Sequence, residues 1–369
     1  MAQQATDAQK EQFAEQLLDA VEGTFTVFTT YLGDQLGYYD ALAEVGRATE
    51  PETVALTPSE LAERTDTDER YAREWLEGQV VAGVLDVDDP TAGPAKRRYT
   101  LPNAHAESLT DEESLDYIAG LLQVAVGSVL PVHAVVDAFR TGDGVPFEDY
   151  SPDLHEGQAR MNRAAFLQQL GTEWVPTLSD VDDRLRTTGA RVADVGCGFG
   201  YSCIGIAESY PDANVDGYDL DAESVEAARE NVEAAGLGDR VTIHHRDAAD
   251  PEIEGDYDLV LAFECLHDMS DPVGVLATMR RLVGDDGTVL VVDERAGDSF
   301  AERTEIEGLL YGFSVLHCLP VGMADQPSAA TGTVMRADTV REYADEAGFS
   351  SVEVLPIENF FFRFYRLDP

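Results

Sequence analysis

Lysine is almost missing from this sequence. Lys10 and Lys96 are the only two, and the 25 basic residues face 71 acidic ones, a formal charge of -46 over 369 residues. Such a surface repels phosphate backbones, so non-specific nucleic-acid binding is excluded as a default. The acids run through every segment instead of gathering in one block, which sets aside a disordered acidic tail. Adaptation to high salt is the expectation that remains: at 1 M salt charges are screened within about 3 Å, and a dense acidic surface stays hydrated without forcing the fold apart. Cysteine is scarce as well. Cys197, Cys203, Cys265 and Cys318 lack the paired spacing of metal ligands, so buried free thiols in a reducing compartment are expected and disulfides are not. No run of about 18 apolar residues offers a membrane span. The opening MAQQATDAQKEQ has no apolar signal-peptide core, and a cytoplasmic protein is expected.

What is present is enough apolar material, 44% of the chain, for a large core divided over two or three domains. Residues 11–45 have a helical pattern, with Phe13, Leu17 and Val21 and then Leu32, Leu36 and Tyr39 at three- and four-residue steps. Thr57-Pro58-Ser59-Glu60 is a capping box with proline at the first helical position. It predicts a short helix to Arg64, then a second over 68–81 with Tyr71, Trp75 and Leu76 on its apolar side. Alternation over 84–87 and 98–101 predicts two strands around a proline-bounded turn. Helix, helix and a two-stranded wing make a winged helix-turn-helix over residues 1–110. DNA readout is disfavoured, because residues 68–77 carry four acids and two arginines; only Lys96-Arg97-Arg98 speaks for it. Residues 111–186 read as a helical connector, either a lid over a neighbouring site or plain scaffold.

From residue 187 to 369 strands and helices alternate. Strands are predicted over 192–195, 213–218, 240–245, 257–263 and 288–293, and two more over 351–356 and 360–367. Helices are predicted over 201–208, 222–235, 272–283 and 339–347, the last ending at the C-cap Gly348. This order implies a doubly wound, Rossmann-like α/β sheet, whose ligands bind at the carboxyl ends of the strands. The notable polar residues fall at those ends. Asp194 and the glycines Gly196, Gly198 and Gly200 follow strand one, Asp219 follows strand two, Asp247 strand three, and Glu264, His267 and Asp268 strand four. An acid after strand two has a specific task, accepting hydrogen bonds from both hydroxyls of a ribose. A dinucleotide turn would need a third glycine where this chain has Tyr201, which excludes a nicotinamide enzyme. His244 and His245 are adjacent on a strand and point to opposite faces, so they do not chelate one metal, and no metal site is expected. The apolar run 306–316, with Tyr311, Phe313 and Met323, is either an acceptor pocket wall or a core helix.

Asp194 followed by Gly196-Cys197-Gly198-Phe199-Gly200 resembles the first motif of the class I S-adenosylmethionine-dependent methyltransferases, an acid before G-x-G-x-G. The resemblance covers about half the chain, residues 189–369. It implies that S-adenosylmethionine is the cofactor, with Gly196, Cys197 and Gly198 beneath its methionine part. Asp219, with Leu220 next to it, would hold the ribose, Asp247 and Ala248 would meet the adenine, and Glu264 would lie near the methionine end or the substrate. The stretch 264–272 is similar to that of small-molecule O-methyltransferases, whose His-Asp pair supplies a general base. Here His267 takes that place, Glu264 or Asp268 could orient it, and Met269 stands where those enzymes have an aromatic. The N-terminal domain resembles the dimerisation domain of the same enzymes, which implies a homodimer. A small, partly apolar acceptor methylated at oxygen is therefore expected. The alternative is a transcriptional regulator that senses S-adenosylmethionine.

Overall fold

The computed structural model describes residues 2–46 and 55–369, which cluster as two compact units, 1–126 and 127–369. In the first unit, α1 (Ala2–Gln35) and α2 (Tyr38–Gly46) are separated at Gly37, whose φ of +65° lies in the left-handed region and ends the first helix. The helical stretch expected over 11–45 is thus two helices. Phe13, Leu17, Val21 and Phe25 of α1 are exposed, whereas Tyr38, Tyr39 and Leu42 of α2 enter the core. The capping box forms as predicted: Thr57 Oγ1 accepts from the Glu60 N–H, and Glu60 returns the bond to the Thr57 N–H, opening α3 (Pro58–Thr65). Asp68 caps α4 (Glu69–Val81). Trp75 and Leu76 of α4 pack inward, but Tyr71, predicted beside them, is 79% exposed. It falls on the outer side of the helix, away from the Tyr38 and Tyr39 rings that meet Trp75 at 4.8 and 5.2 Å. The wing strands shrink to β1 (Asp86–Val87) and β2 (Tyr99–Thr100), and α5 (Asn103–Thr110) follows.

The apolar stretch 115–139 gives α6 (Ala119–Val129) and α7 (Val132–Thr141), broken before Pro131 and bent by 54°. Among the described residues no single helix is long and apolar enough to cross a membrane. The helix expected over 153–170 is α8 (Pro152–Ala165), continued through a wide π-type turn, Phe166–Trp174. A short α9 (Ser179–Leu185) precedes the sheet.

All seven sheet strands form within about two residues of the predicted positions: β3 (Arg191–Val195), β4 (Asn214–Asp219), β5 (Val241–His245), β6 (Leu259–Phe263), β7 (Thr288–Glu294), β8 (Ser351–Val354) and β9 (Phe362–Asp368). Their spatial order is β5-β4-β3-β6-β7-β9-β8, parallel except for β9, which runs antiparallel between β7 and β8. The order reverses between β3 and β6, the switch point at which such sheets open a crevice. On one face pack α10 (Tyr201–Ser209) and α11 (Ala222–Ala234), with Phe166 and Trp174; on the other pack α12 (Pro272–Val283) and α15 (Ala337–Ala347). Between β7 and α15 lie α13 (Glu307–Phe313), a π-type turn over Ser314–Cys318, and α14 (Leu319–Gly322). All four cysteines are free thiols.

Candidate active site

The glycine turn sits at the switch point. Gly196, Gly198 and Gly200 have φ of +69°, +50° and +79°, backbone that a side chain would strain, which accounts for glycine at alternate positions. The N–H groups of Gly196 and Cys197 donate to the Tyr218 carbonyl, tying the turn to β4. At the end of β4, Asp219 accepts from the Gly198 N–H at 2.8 Å and from the Asp221 N–H at 2.9 Å. Burial raises its pKa despite these bonds. Leu220 follows with 64% of its surface exposed. Asp247 is exposed past the end of β5, accepting from the Ala249 N–H, with Ala248 half-buried beside it. Asp194 points elsewhere. Its carboxyl is buried against α10, where Ser202 Oγ and Cys203 Sγ donate to it, and burial lifts its pKa to about 7.

The second half of the site follows β6, the strand paired with β3. Cys265 Sγ donates to the Val195 carbonyl, and a Cβ on Gly196 would come within 2.9 Å of Cys265, so the two loops are in contact. Glu264 adopts φ +48° without being glycine, a strained backbone of the kind stored at functional sites. Its carboxyl is buried, accepts from Asn162 Nδ2 of α8, and is raised to about 7 by burial. His267 stands in the single turn Leu266–Asp268 and is only 2% exposed. Its Nδ1 lies 2.8 Å from Asp293 Oδ1 and 3.1 Å from Glu294 Oε2, both at the end of β7. Burial opposes charge on the ring, yet the two acids prevail and hold its pKa well above the ordinary histidine value. Asp293, drawn the other way by His267, stays below the usual carboxylate range, while burial keeps Glu294 well above it. Asp268 is raised to about 6, again by burial.

Asn162, Asp293 and Glu294 were not among the sequence candidates. Asp293 and Glu294 obey the strand-end rule that singled out the others and were there to be found. The fold also gathers two mixed sets that spacing did not foretell: His267 with Asp268 and Cys318, and His267 with Asp293 and Glu294, their donor atoms within 4.8 Å of one another. The 2.8 Å between His267 Nδ1 and Asp293 Oδ1 is hydrogen-bond spacing. His244 and His245 do diverge, to Asp216 Oδ1 and to the Leu220 carbonyl.

Residues 186–338 match the family described as Methyltransferase domain, and residues 24–111 match the Rv2258c-like winged HTH domain. The chain carries a methyltransferase domain behind a winged-helix domain. The methyltransferase match takes in the glycine turn, Asp219, Asp247 and the His267 loop, and it stops short of β8 and β9. Ajmaline N-methyltransferase of Rauvolfia serpentina is 32% identical over 100 residues, 27% of this chain and 34% of that enzyme. Like it, the first curated relatives are matched over less than two thirds of their own length. Mitomycin 7-O-methyltransferase MmcR is similar across 98% of this chain and 99% of its own, with a TM-score of 0.70 and 18% identity. Human N-acetylserotonin methyltransferase, solved in complex with SAM, gives 0.67 and 19% over 97% of both chains. At these identities the likeness to the solved structures is one of fold, and it includes the methyltransferase sheet.

Proposed function

We propose that this protein transfers a methyl group from S-adenosylmethionine to the oxygen of a small, partly apolar acceptor. The observation that carries the reading is the contact between the two loops: Cys265, two residues before a buried, acid-paired histidine, meets the glycine turn at the switch point of a methyltransferase sheet. The residues present suit the cofactor. Asp219 uses two acceptor positions on Gly198 and Asp221 and keeps others for the ribose hydroxyls. Exposed Leu220 offers an apolar cover for a flat base, and Asp247 with Ala248 stands ready for the adenine amino group. A Cβ at Gly198 would meet nothing within 4 Å, so the turn formed by Gly196, Cys197 and Gly198 is open to a ligand at Gly198, while Cys265 closes the space over Gly196. Gly200 starts α10 beside Ala228, and Asp194 braces the turn from behind. Bound there, S-adenosylmethionine supplies an electrophilic methyl group.

The protein's part is to align the acceptor and remove its proton. His267 performs the second task, with Asp293 fixing the ring through Nδ1 so that Nε2 faces the acceptor; Glu264, held by Asn162, and Asp268 shape the approach. Oxygen is the proposed acceptor atom because a hydroxyl must lose its proton to become a good nucleophile. Calorimetry with S-adenosylhomocysteine in molar salt is expected to give saturable binding at one site per chain. Absence of binding to folded protein would sink the cofactor assignment.

Residues 1–110 serve dimerisation and 111–186 link them to the cofactor domain of 187–369. Support comes from the exposed apolar side chains along α1 and from the acidic α4, which is ill suited to DNA. The salt-adapted surface and the free thiols suit a cytoplasm rich in salt. One titration tests this group of proposals: sedimentation and thermal melting in molar salt should give twice the chain mass and a melting temperature that falls steadily as salt is withdrawn. A monomer in molar salt, or a melting temperature indifferent to salt, would contradict them, and a DNA mobility shift would revive the regulator reading.

A further inference from the structure

Two further histidines of the same unit share a wall with His267. His155 of α8 is 8% exposed and stacks on Phe147, ring centroids 4.1 Å apart and planes 7° apart. His317, 5% exposed, lies in the π-type turn before α14, where Tyr150 meets it edge-on at 4.7 Å and Phe147 lies 6.0 Å away. The Tyr150 hydroxyl donates to the Leu316 carbonyl at 2.8 Å, which anchors that turn. Both imidazoles therefore flank the Phe147 ring, and His317 meets Tyr150 as well.

Each ring has one nitrogen engaged. His317 Nδ1 is 3.4 Å from Cys318 Sγ. His155 meets the backbone of Phe147, a contact that favours the protonated ring against the opposing effect of burial. The other nitrogen, Nε2, of both rings is buried with no hydrogen-bond partner among the described residues. An unmatched buried polar atom is worth about 5- to 150-fold in an equilibrium, and a phenylalanine could fill either place without that penalty. Burial keeps both rings neutral, His317 at a pKa of about 3. Cys318 Sγ, 3.4 Å from His317 Nδ1, also lies within 4.8 Å of a donor atom of His267. His155 stands seven residues before Asn162 on one face of α8, and Asn162 holds Glu264. Both imidazoles thus sit on the elements that meet His267 and Glu264.

Building on the methyl-transfer reading above, we propose that His155 and His317 are specificity-determining residues that bind a second hydroxyl of the acceptor, separate from the oxygen presented to His267. A hydroxyl both donates and accepts and so satisfies a neutral imidazole Nε2 in either tautomer, whereas an ether or ketone only accepts and serves one of them. A carboxylate would meet two neutral imidazoles, which leave its charge unpaired. The hydroxyl that loses its proton must be acidic enough for an imidazole, as a phenol with a pKa of about 10 is. The acceptor class is an uncharged aromatic bearing two hydroxyls.

The test uses the full-length protein loaded with S-adenosylhomocysteine in molar salt and measures binding of catechol, resorcinol and phenol. One of the two diphenols should bind at least about tenfold tighter than phenol. In His317→Phe and in His155→Phe that ratio should fall towards unity, with phenol binding kept or improved and S-adenosylhomocysteine affinity kept in His317→Phe as proof of folding. Equal binding of phenol and both diphenols to the native protein, or an undiminished ratio in both variants, overturns the proposal. Binding of none of the three by protein that takes up S-adenosylhomocysteine also overturns it and leaves the cofactor assignment standing; failure to take up S-adenosylhomocysteine removes the methyl-transfer reading itself.

Discussion

Alanine in place of His267 is expected to lower kcat by about 10²- to 10⁴-fold, the usual worth of a positioned acid–base group, with S-adenosylhomocysteine affinity near that of the native protein. The ring pairs with Asp293 and Glu294 and lies beside Cys318, none of which belongs to the glycine turn or the ribose site. Cofactor affinity is thus the internal control, and undiminished turnover would rule out the base role. The same pairing dictates a pH profile. Because Asp293 and Glu294 hold the His267 pKa above the ordinary value against the opposing effect of burial, the neutral ring that can take a proton gains population only as pH rises past the ordinary histidine range. Turnover should therefore climb with pH above neutrality. Asp293→Asn removes one of the charges and should shift that limb towards about 6.5, the unperturbed histidine value; a limb that does not move would detach Asp293 from His267. Stability follows the opposite sign. The folded pKa exceeds the unfolded one, so the ion pair's contribution is complete below about pH 6.5 and is lost as pH rises through the folded value.

Asp219→Ala should weaken S-adenosylhomocysteine binding by about 100-fold or more, since two hydrogen bonds to a charged group are removed at about 1.5–3 kcal/mol each. The carboxylate also accepts from the Gly198 and Asp221 N–H groups. Alanine would therefore release both ends of the crevice as well as the ribose. Asp219→Asn keeps an acceptor oxygen and should fall between the two. Calorimetry in molar salt reads all three proteins, and unchanged affinity in the alanine variant would remove Asp219 from the ribose site.

Much of the α/β unit was legible because its strands are short apolar runs fenced by glycine, proline and acids. Val192–Val195 and Leu259–Phe263 could hardly be anything else, and the strand-end acids then marked the crevice. Tyr71 shows where periodicity misleads: an aromatic at helical spacing satisfied the pattern, but Trp75 and Leu76 already filled the available core. Asn162 had no local signal. It lies 102 residues from Glu264 in sequence, and only the packing of α8 brings its amide to that carboxyl. The Asp293–Glu294 pair did carry a signal, two acids ending a strand buried along its whole length, but only the fold supplies its partner, a histidine 26 residues away. The neutral histidines 155 and 317 are of the same kind as Asn162, joined by Phe147 and Tyr150 and not by any spacing.

The place of β9 in the sheet has a bearing on how the protein is made. Asp293 and Glu294 are paired across the ladder with Arg363 and Phe362. During synthesis β7 emerges with β6 ready on one side and an open edge on the other, and that edge stays bare until residues 362–368 have left the ribosome. The acids proposed to set His267 thus gain their final register in one of the last pairings of the sheet, and a nascent chain with every parallel strand in place still lacks the alignment its chemistry requires.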